Sequence, residues 1–318
     1  MNLKRPVLAL ALAIAAGLGT AMAAEFPSRP IKVIVPFGPG GVTDSAARIT
    51  AQAIEKSLGQ PVVVENKPGG EGGIAANTVK SSQPDGHTLL FATSSTLATP
   101  LVSSAADYDG LRDFVPISTV GKFPYGLFVS ADVPAANLKE FIAYARANPG
   151  KVNYGTVNSA EYLTGTQFAK AAGVDMVRIP YKQAPVVDLV AGRIQVYFGP
   201  VGNVIAHVKE GRARMLAMLA PERSPLAPDV PTLAEAGIDG VGMHSYQMFL
   251  APAGTPPAVT ERLSREINTA LRDPSVRAQL EKIAMQVEGM TPQQLRARLE
   301  EANRTWTAFF RDAGITRQ

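Results

Sequence analysis

The chain of 318 residues contains no cysteine, only 3 histidines and 18% charged residues. The absence of cysteine excludes disulfides, thiolate nucleophiles, iron–sulfur clusters, cysteine-ligated zinc and a lipid attached through an N-terminal cysteine. Three histidines leave at most one imidazole-rich metal site. Apolar residues make up 46% of the chain, which is typical of a globular protein. The length is sufficient for two domains.

The first 23 residues predict a cleaved export signal. Lys4 and Arg5 precede an apolar run from Val7 to Leu18, and Ala21 and Ala23 have the A-x-A spacing of a signal-peptidase site. The run is too short to span a bilayer as a helix, and no later segment holds about 18 consecutive apolar residues. We therefore expect a periplasmic protein that is soluble after cleavage near Ala23.

The charge balance and the glycine motifs argue against nucleic acids and cofactors. Without Lys4 and Arg5 the chain keeps 29 basic residues against 27 acidic ones, and it has no basic run that could follow a phosphate backbone. A phosphate-binding loop of the G-x-x-x-x-G-K-[ST] type is absent from the sequence. The Gly-Pro-Gly motif at 38–40 follows a strand as in dinucleotide sites, but Pro39 lacks an N–H group that a pyrophosphate would use. We expect neither a nucleic-acid partner nor a cofactor.

Short β-rich runs alternate with amphipathic helical segments, which predicts an α/β fold with a largely parallel sheet. The first strand, Ile31–Val35, leads into a glycine loop at 36–41. A helix over 45–58 follows, with Thr43 or Asp44 as its N-cap. A strand over 88–92 likewise precedes the polar loop 93–96. After residue 124 the pattern begins again, with a strand over 126–129 and the small-residue loop 155–159.

The loops that follow these strands predict an anion site. The first N–H groups of a helix are unpaired and carry a partial positive charge, so small residues in front of them admit an anion. In open parallel sheets, ligands bind outside the carboxyl ends of the strands. Each loop alone is better explained as an ordinary strand-to-helix turn, and it is the number of such loops that favours a carboxylate-sized ligand.

Enzymatic alternatives depend on the three histidines. His87 follows a turn, His207 lies in a helical segment with apolar neighbours, and His244 precedes a β-rich run. None of them has the H-x-x-x-H spacing of a helical metal site. A Ser/His/Asp triad assembled from distant positions stays open, so an exported hydrolase is an alternative hypothesis.

Several motifs, in order along the whole mature chain, resemble the periplasmic solute receptors of tripartite tricarboxylate transporters, also called the Bug family. The motifs are Pro30–Asp44, Gly59–Gly69, Pro84–Leu90, Val152–Gly155, Ile179–Lys182, Pro228–Thr232 and Ala251–Pro256. The resemblance implies a two-lobed periplasmic-binding-protein fold of type II-like topology with a hinge-closing cleft. It implies lobe 1 at 24–123 plus 246–318 and lobe 2 at 124–245. It further implies a monomer without catalysis or metal that hands its ligand to membrane permease subunits, or alternatively a sensor that feeds a two-component system.

The resemblance also implies where the ligand binds. Carried onto matching or neighbouring positions, the expected ligand-binding residues are Phe37, Gly40, Gly41, Thr43, Asp44, Ser94, Ser95, Thr156, Asn158, Ser159, Tyr162, Gln183 and Gly199. Asp44 is expected to position a water or an amide, because its charge would repel a carboxylate.

Departures from the family pattern fall in the second lobe. Tyr162 stands where a histidine is common, and Gly199 stands where an aspartate is common. Loss of that acid argues against an amino-bearing ligand and leaves more room in the cleft. Arg178 and Lys182 are the nearest cations, with a solvated and a ligand-binding role equally open. We therefore hypothesise a receptor for a small organic anion, either a di- or tricarboxylate or an aromatic carboxylate.

Overall fold

The computed structural model describes residues 26–104, 106–220, 222–223, 227–242, 244–315 and 317. The predicted export signal and its cleavage site near Ala23 lie outside the described residues. Within these ranges, no helix combines the length and the hydrophobicity that crossing a membrane requires.

The described residues form ten β-strands and ten α-helices. The strands are β1 (Ile31–Val35), β2 (Val62–Asn66), β3 (Thr88–Thr93), β4 (Phe114–Ser130), β5 (Val152–Thr156), β6 (Met176–Pro180), β7 (Val196–Pro200), β8 (Ala213–Met218), β9 (His244–Pro252) and β10 (Gln286–Val287). The helices are α1 (Val42–Leu58), α2 (Gly73–Lys80), α3 (Ser94–Ala98), α4 (Leu138–Ala147), α5 (Ser159–Ala172), α6 (Val186–Val190), α7 (Val201–Lys209), α8 (Pro257–Ala270), α9 (Pro274–Lys282) and α10 (Pro292–Asp312).

The strands form one mixed sheet in the order β2-β1-β3-β9-β4-β7-β5-β6, with β8 and β10 paired to β4. The α/β class predicted from the sequence is confirmed. The expected parallel pairing holds where β1 lies between β2 and β3, and where β5 lies between β6 and β7. The centre of the sheet differs, because β9 is antiparallel to β3 and β4, and β4 is antiparallel to β7 and β8.

The 17-residue strand β4 connects two halves of this sheet. Residues 114–124 pair with β9, whereas residues 125–130 pair with β7 and β8. We call β1–β3, β9, β10 and residues 114–124 the first half-sheet, and residues 125–130 with β5–β8 the second half-sheet. The sequence predicted only 126–129 as strand, because prolines and a glycine lie upstream. Two register shifts in the pairing with β9, at 116–118 and 119–121, accommodate Pro116 and Gly121 as bulges would.

Helix α10 packs against both half-sheets. Leu295 and Leu299, near its start, belong to an apolar cluster that contains residues of β3 and β9. Trp306 and Phe310, near its end, belong to a second cluster that contains residues of β5 and β7. The helix therefore connects the two half-sheets by packing against both of them.

Two helices begin in or directly after segments that the sequence predicted to be loops. Helix α1 starts at Val42 with Gly41 as its N-cap, so Thr43 and Asp44 lie in its first turn and neither is the cap. The residue before this cap, Gly40, has a φ of 82°, a conformation that favours glycine. The predicted polar loop 93–96 is largely the first turn of α3. Thr93 is its N-cap and shares a capping box with Thr96.

Candidate functional site

A cavity of about 400 Å³ is lined by residues from both half-sheets. On the side of the first half-sheet the lining is the glycine loop after β1 and the first turn of α1. On the side of the second half-sheet it is the loops and helix starts that follow β5, β6 and β7. The polar lining residues are Thr43, Ser45, Thr93, Tyr125, Asn158, Glu161, Gln183, Tyr197, Asn203 and His207. A cavity of this size is sufficient for a small organic ligand.

The N-termini of three helices meet at this cavity. The N-cap residues are Gly41 for α1, Asn158 for α5 and Pro200 for α7, and all three line the cavity. Only Asn158 caps its helix with a side chain, whereas Gly41 and Pro200 provide no such hydrogen bond. Each helix start carries roughly half a positive charge from its aligned peptide dipoles. The cavity is therefore a positive region built from backbone dipoles.

Among the described residues that line the cavity, none is a lysine or an arginine. Arg178, a cationic candidate from the sequence, instead forms an ion pair with Glu71 and donates a hydrogen bond to Thr156 Oγ1 at 3.0 Å. Its guanidinium also lies 3.9 Å from the centre of the Tyr162 ring. Arg178 thus joins the second half-sheet to the turn after β2.

Asp44 holds the glycine loop in place from behind. The buried carboxylate accepts hydrogen bonds from Gly40 N at 3.0 Å, from Arg48 Nε at 3.0 Å and from Asn66 Nδ2 at 2.8 Å. Asn66 Nδ2 also donates to Phe37 O at 2.9 Å, so both ends of the loop are fixed. Burial raises the pKa of Asp44, but the bonds from Arg48, Gly40 and Asn66 outweigh burial and lower it.

The glycine loop contacts the second half-sheet closely. Asn203 Oδ1, on α7, accepts a hydrogen bond from Val42 N at 3.1 Å. A β-carbon at Gly38 would lie 3.2 Å from Gln183 Oε1, so only glycine allows this approach without a shift of the neighbouring side chain. The two sides of the cavity therefore touch directly at its margin.

Glu161 is a buried acid in the cavity lining that the sequence analysis did not single out. Its Oε2 accepts a hydrogen bond from Val157 N at 2.7 Å, and its Oε1 accepts one from Tyr197 Oη at 3.0 Å. Burial raises the pKa of Glu161 to about 8, although the bonds from Val157, Tyr197 and Asn158 act in the opposite direction. The cleft therefore contains an acid, Glu161, although Gly199 stands where an aspartate is common in the family.

The space at Gly199 is also filled. A β-carbon there would lie 2.1 Å from the Tyr197 ring, so the ring occupies the room that the missing side chain would need. Gly199 itself is buried in β7 and does not line the cavity. The glycine therefore provides room for Tyr197, and not for a larger ligand as the sequence suggested.

The structure brings six of the predicted ligand-binding residues into the cavity lining. These are Phe37, Gly40, Gly41, Thr43, Asn158 and Gln183. The other seven, Asp44, Ser94, Ser95, Thr156, Ser159, Tyr162 and Gly199, are not in the lining.

Several of these seven form contacts near the cavity. Ser159 Oγ donates to Ser95 O at 3.1 Å, and Ser94 Oγ accepts from Tyr246 N at 3.2 Å. Thr156 and Tyr162 both contact Arg178.

Sequence reasoning did not assign to the ligand site the side chains that reach the cavity from outside the glycine loops. Tyr125 comes from the middle of β4, Tyr197 from β7, Asn203 and His207 from α7, and Glu161 from the first turn of α5. For Glu161 a signal existed, because an asparagine followed three residues later by a glutamate marks a helix start. The others depend on long-range pairing that no local pattern reveals.

The histidines do not assemble a metal site in the described part of the chain. His87 lies next to Asp85, with 3.3 Å between Nδ1 and Oδ1, and accepts a hydrogen bond from Ser28 N at 3.2 Å. His207 lines the cavity and approaches Glu210 at 3.5 Å. Within the described ranges, no cluster of three or more His, Cys, Asp or Glu residues could hold a metal ion.

This arrangement, an α/β chain with a cavity between two half-sheets at the starts of helices, is that of a periplasmic solute-binding receptor. A family model described as the tripartite tricarboxylate transporter family receptor matches residues 46–315. The chain belongs to this family, and the resemblance seen in its sequence motifs is confirmed. Family members are periplasmic receptors that bind solutes.

Relatives agree in sequence and in structure. Protein BugT of Bordetella pertussis is 35% identical, with 99% of each chain covered. The structure of Rpa4515 from R. palustris with adipate superposes with a TM-score of 0.88 at 30% identity, covering 92% of this chain and 100% of that one. MatC from Rhodopseudomonas palustris with bound malate gives a TM-score of 0.83 at 28% identity, covering 89% and 99%.

Proposed function

We propose that this receptor binds a small organic anion carrying one or more carboxylates in the cavity and delivers it to membrane permease subunits. The observation that carries the proposal is the meeting of three helix N-termini at a cavity whose described lining contains no lysine or arginine. Such a site attracts an anion through N–H groups and helix dipoles. Adipate and malate in the two related structures support a di- or tricarboxylate, with an aromatic carboxylate as the further candidate.

The expected affinity follows from the number of such contacts. Three or four hydrogen bonds to an ionised group contribute about 1.5–3 kcal/mol each. After the costs of association and ordering, a total near −8 kcal/mol corresponds to a dissociation constant of about 1 μM. A site without an arginine clamp is therefore sufficient for a periplasmic receptor.

We infer further that the two half-sheets belong to two lobes, 24–123 with 246–318 and 124–245, which close on the ligand. The contacts of Asn203 with Val42 and of Arg178 with Glu71 cross between the half-sheets and support this division. Strand β4 is one connection between them. Small-angle scattering of the monomer with and without adipate tests the closure, and an unchanged radius of gyration at saturation contradicts it.

The ligand class is tested with matched probes. Thermal shifts are measured with adipate, malate and benzoate, and with dimethyl adipate as an uncharged control of the same chain length. Saturation at about 100 times the dissociation constant stabilises the protein by roughly 2.7 kcal/mol. We expect the free acids, and not the diester, to raise the melting temperature. Stabilisation by a sugar or a simple amine, with none by any carboxylate, would overturn the proposal. Native mass spectrometry of the purified protein identifies any ligand that is retained.

One observation favours a second candidate. His207 is the only histidine among the described cavity residues, and a hydrolase would need such a base. Turnover of p-nitrophenyl esters that is lost in His207→Ala would support an exported hydrolase, whereas equal background rates in both proteins support a receptor. The sensor alternative is distinguished by whether permease genes or two-component genes lie beside the coding sequence.

A further inference from the structure

The cavity contains one carboxyl group that the proposed function does not use. Glu161 has 1% of its surface exposed, and it sits in the first turn of α5 at the positive end where the anion is proposed to bind. Its two oxygens are 2.7 Å from Val157 N and 3.0 Å from Tyr197 Oη. A carboxylate at this place would put a second negative charge next to the bound ligand.

Among the described residues of the cavity lining, no lysine or arginine offsets that charge. The charged and titratable groups that act on Glu161 are Glu71 after β2, Tyr125 on β4 and Tyr197 on β7. Arg178 on β6 contacts the adjacent Tyr162, and His207 on α7 lines the same cavity. Arg178 is paired with Glu71, and the charge of Glu71 disfavours ionisation of Glu161. Burial raises the pKa of both tyrosines, so they remain neutral.

The protonation state of Glu161 determines where the Tyr197 hydroxyl can donate its hydrogen bond. When Glu161 is ionised, both oxygens only accept, so the single hydroxyl proton of Tyr197 is directed to Glu161. When Glu161 is protonated, it can donate to Tyr197 Oη instead. The Tyr197 hydroxyl is then free to donate to an acceptor in the cavity. One proton on Glu161 therefore removes a repulsive charge and converts Tyr197 into a donor for an anion.

We propose that Glu161 is uncharged when the receptor holds its organic anion, so that the anion is bound together with one proton on this side chain. The inference rests on the proposed function, because a ligand with an ammonium group would instead favour an ionised Glu161. It makes binding stronger near neutral pH than in alkaline surroundings, and it makes alkaline conditions a cause of release.

The expected pH dependence follows from the competent fraction of the protein. If only the protonated form binds, the apparent dissociation constant is the intrinsic one divided by that fraction. Burial raises the pKa of Glu161 to about 8, so affinity falls by roughly 30-fold between pH 7 and pH 9.5. Over the same range, proton uptake on binding rises from near zero to near one per ligand.

The test is calorimetric titration of adipate into the full-length mature protein from pH 6.5 to pH 9.5, in two buffers of different ionisation enthalpy. Adipate is fully ionised throughout this range. The variant Glu161→Gln, which keeps the shape of the neutral acid, should show no pH-dependent affinity and no proton uptake, with affinity at pH 7 within about tenfold of the wild type. Glu300→Gln removes the same charge from an exposed position on α10 and should keep the wild-type pH profile.

The outcomes separate the inference from the proposed function. Wild-type binding of adipate with flat affinity and no proton uptake overturns the inference and leaves the proposed function standing. Loss of binding in a folded Glu161→Gln protein also overturns it, because Glu161 would then act as an ionised partner. If the variant does not fold, proton uptake by the wild type alone decides. Failure of the wild type to bind any carboxylate at any pH overturns both.

Discussion

Substitution of Asp44 should lower both the stability of the chain and its affinity for ligand. Asp44→Asn keeps the shape of the side chain and can still accept from Gly40 N, but its amide would point a donor at Asn66 or Arg48. Charge-assisted hydrogen bonds contribute about 1.5–3 kcal/mol each, and the share of Arg48 is screened because that side chain is half exposed. We therefore expect the free energy of unfolding to fall by about 2–3 kcal/mol at pH 7.

The pH dependence of this effect has a definite sign. The pKa of Asp44 is lowered in the folded protein, so its carboxylate stabilises the fold above its ordinary value of 3.8 and loses that contribution as pH falls through the lowered value. Urea denaturation of wild type and Asp44→Asn should therefore give midpoints that differ at pH 7 and approach each other below pH 3.8.

Affinity distinguishes an anchor of the site from a residue that only stabilises the fold. Release of the glycine loop should weaken adipate binding by about 10- to 100-fold, since misplaced N–H groups lose their directed contacts. Asp109→Asn is the matched control, because Asp109 accepts from Leu111 N and Arg112 N in a loop outside the cavity. It should lower stability and leave affinity within twofold. Equal affinity for adipate in wild type and Asp44→Asn would refute the reasoning.

Three further predictions concern the second half-sheet. Arg178→Gln removes the ion pair between Arg178 and Glu71, two side chains that are each about a quarter exposed. The substitution should lower the free energy of unfolding by about 1–3 kcal/mol and weaken adipate binding. A loss of stability with unchanged affinity would show that the pair does not hold the closed cavity. Gly199→Ala places a β-carbon 2.1 Å from the Tyr197 ring; a crystal structure should show that ring displaced, and an unmoved ring contradicts the expected overlap. Burial raises the pKa of Glu161 from 4.5 to about 8, so the contribution of Glu161 to stability is present below pH 4.5 and is lost as pH rises through about 8, by at most about 5 kcal/mol. The free energy of unfolding should therefore differ less between pH 5 and pH 9 in Glu161→Gln than in the wild type. Equal differences in the two proteins would show that the acid is not buried in the folded state.

Much of the fold follows from local sequence patterns. The alternation of short apolar strands with amphipathic helices correctly predicts β1, α1 and β3 within a few residues, because each of these elements adjoins a small-residue or glycine-containing loop. Strand β4 was mostly missed, since Pro116, Gly121 and Pro124 are typical of turns. Pro116 and Gly121 lie at register shifts in the pairing with β9, and this partner strand is distant in sequence.

The candidate site likewise has one part that the sequence could predict and one part that it could not. Its backbone part was predictable, because glycine loops before helices identify places where N–H groups are exposed. Its side-chain part was not, because Tyr125, Tyr197 and Asn203 reach the cavity through strand order. From the sequence alone, Gly199 in place of the family's aspartate was interpreted as the loss of an acid from the cleft. The fold instead places another acid, Glu161, in the cavity lining and packs the Tyr197 ring against Gly199.

The absence of basic side chains from the described cavity lining and the neutral state inferred for Glu161 have a common physical origin. A lysine or arginine in the lining would attract the ligand more strongly, but it would also lower the pKa of a nearby acid and hold it ionised. Helix dipoles supply a weaker, fixed field that burial of a carboxyl group can overcome. A site built from backbone N–H groups can therefore bind an anion next to an acid, and the proton that makes this possible links affinity to pH.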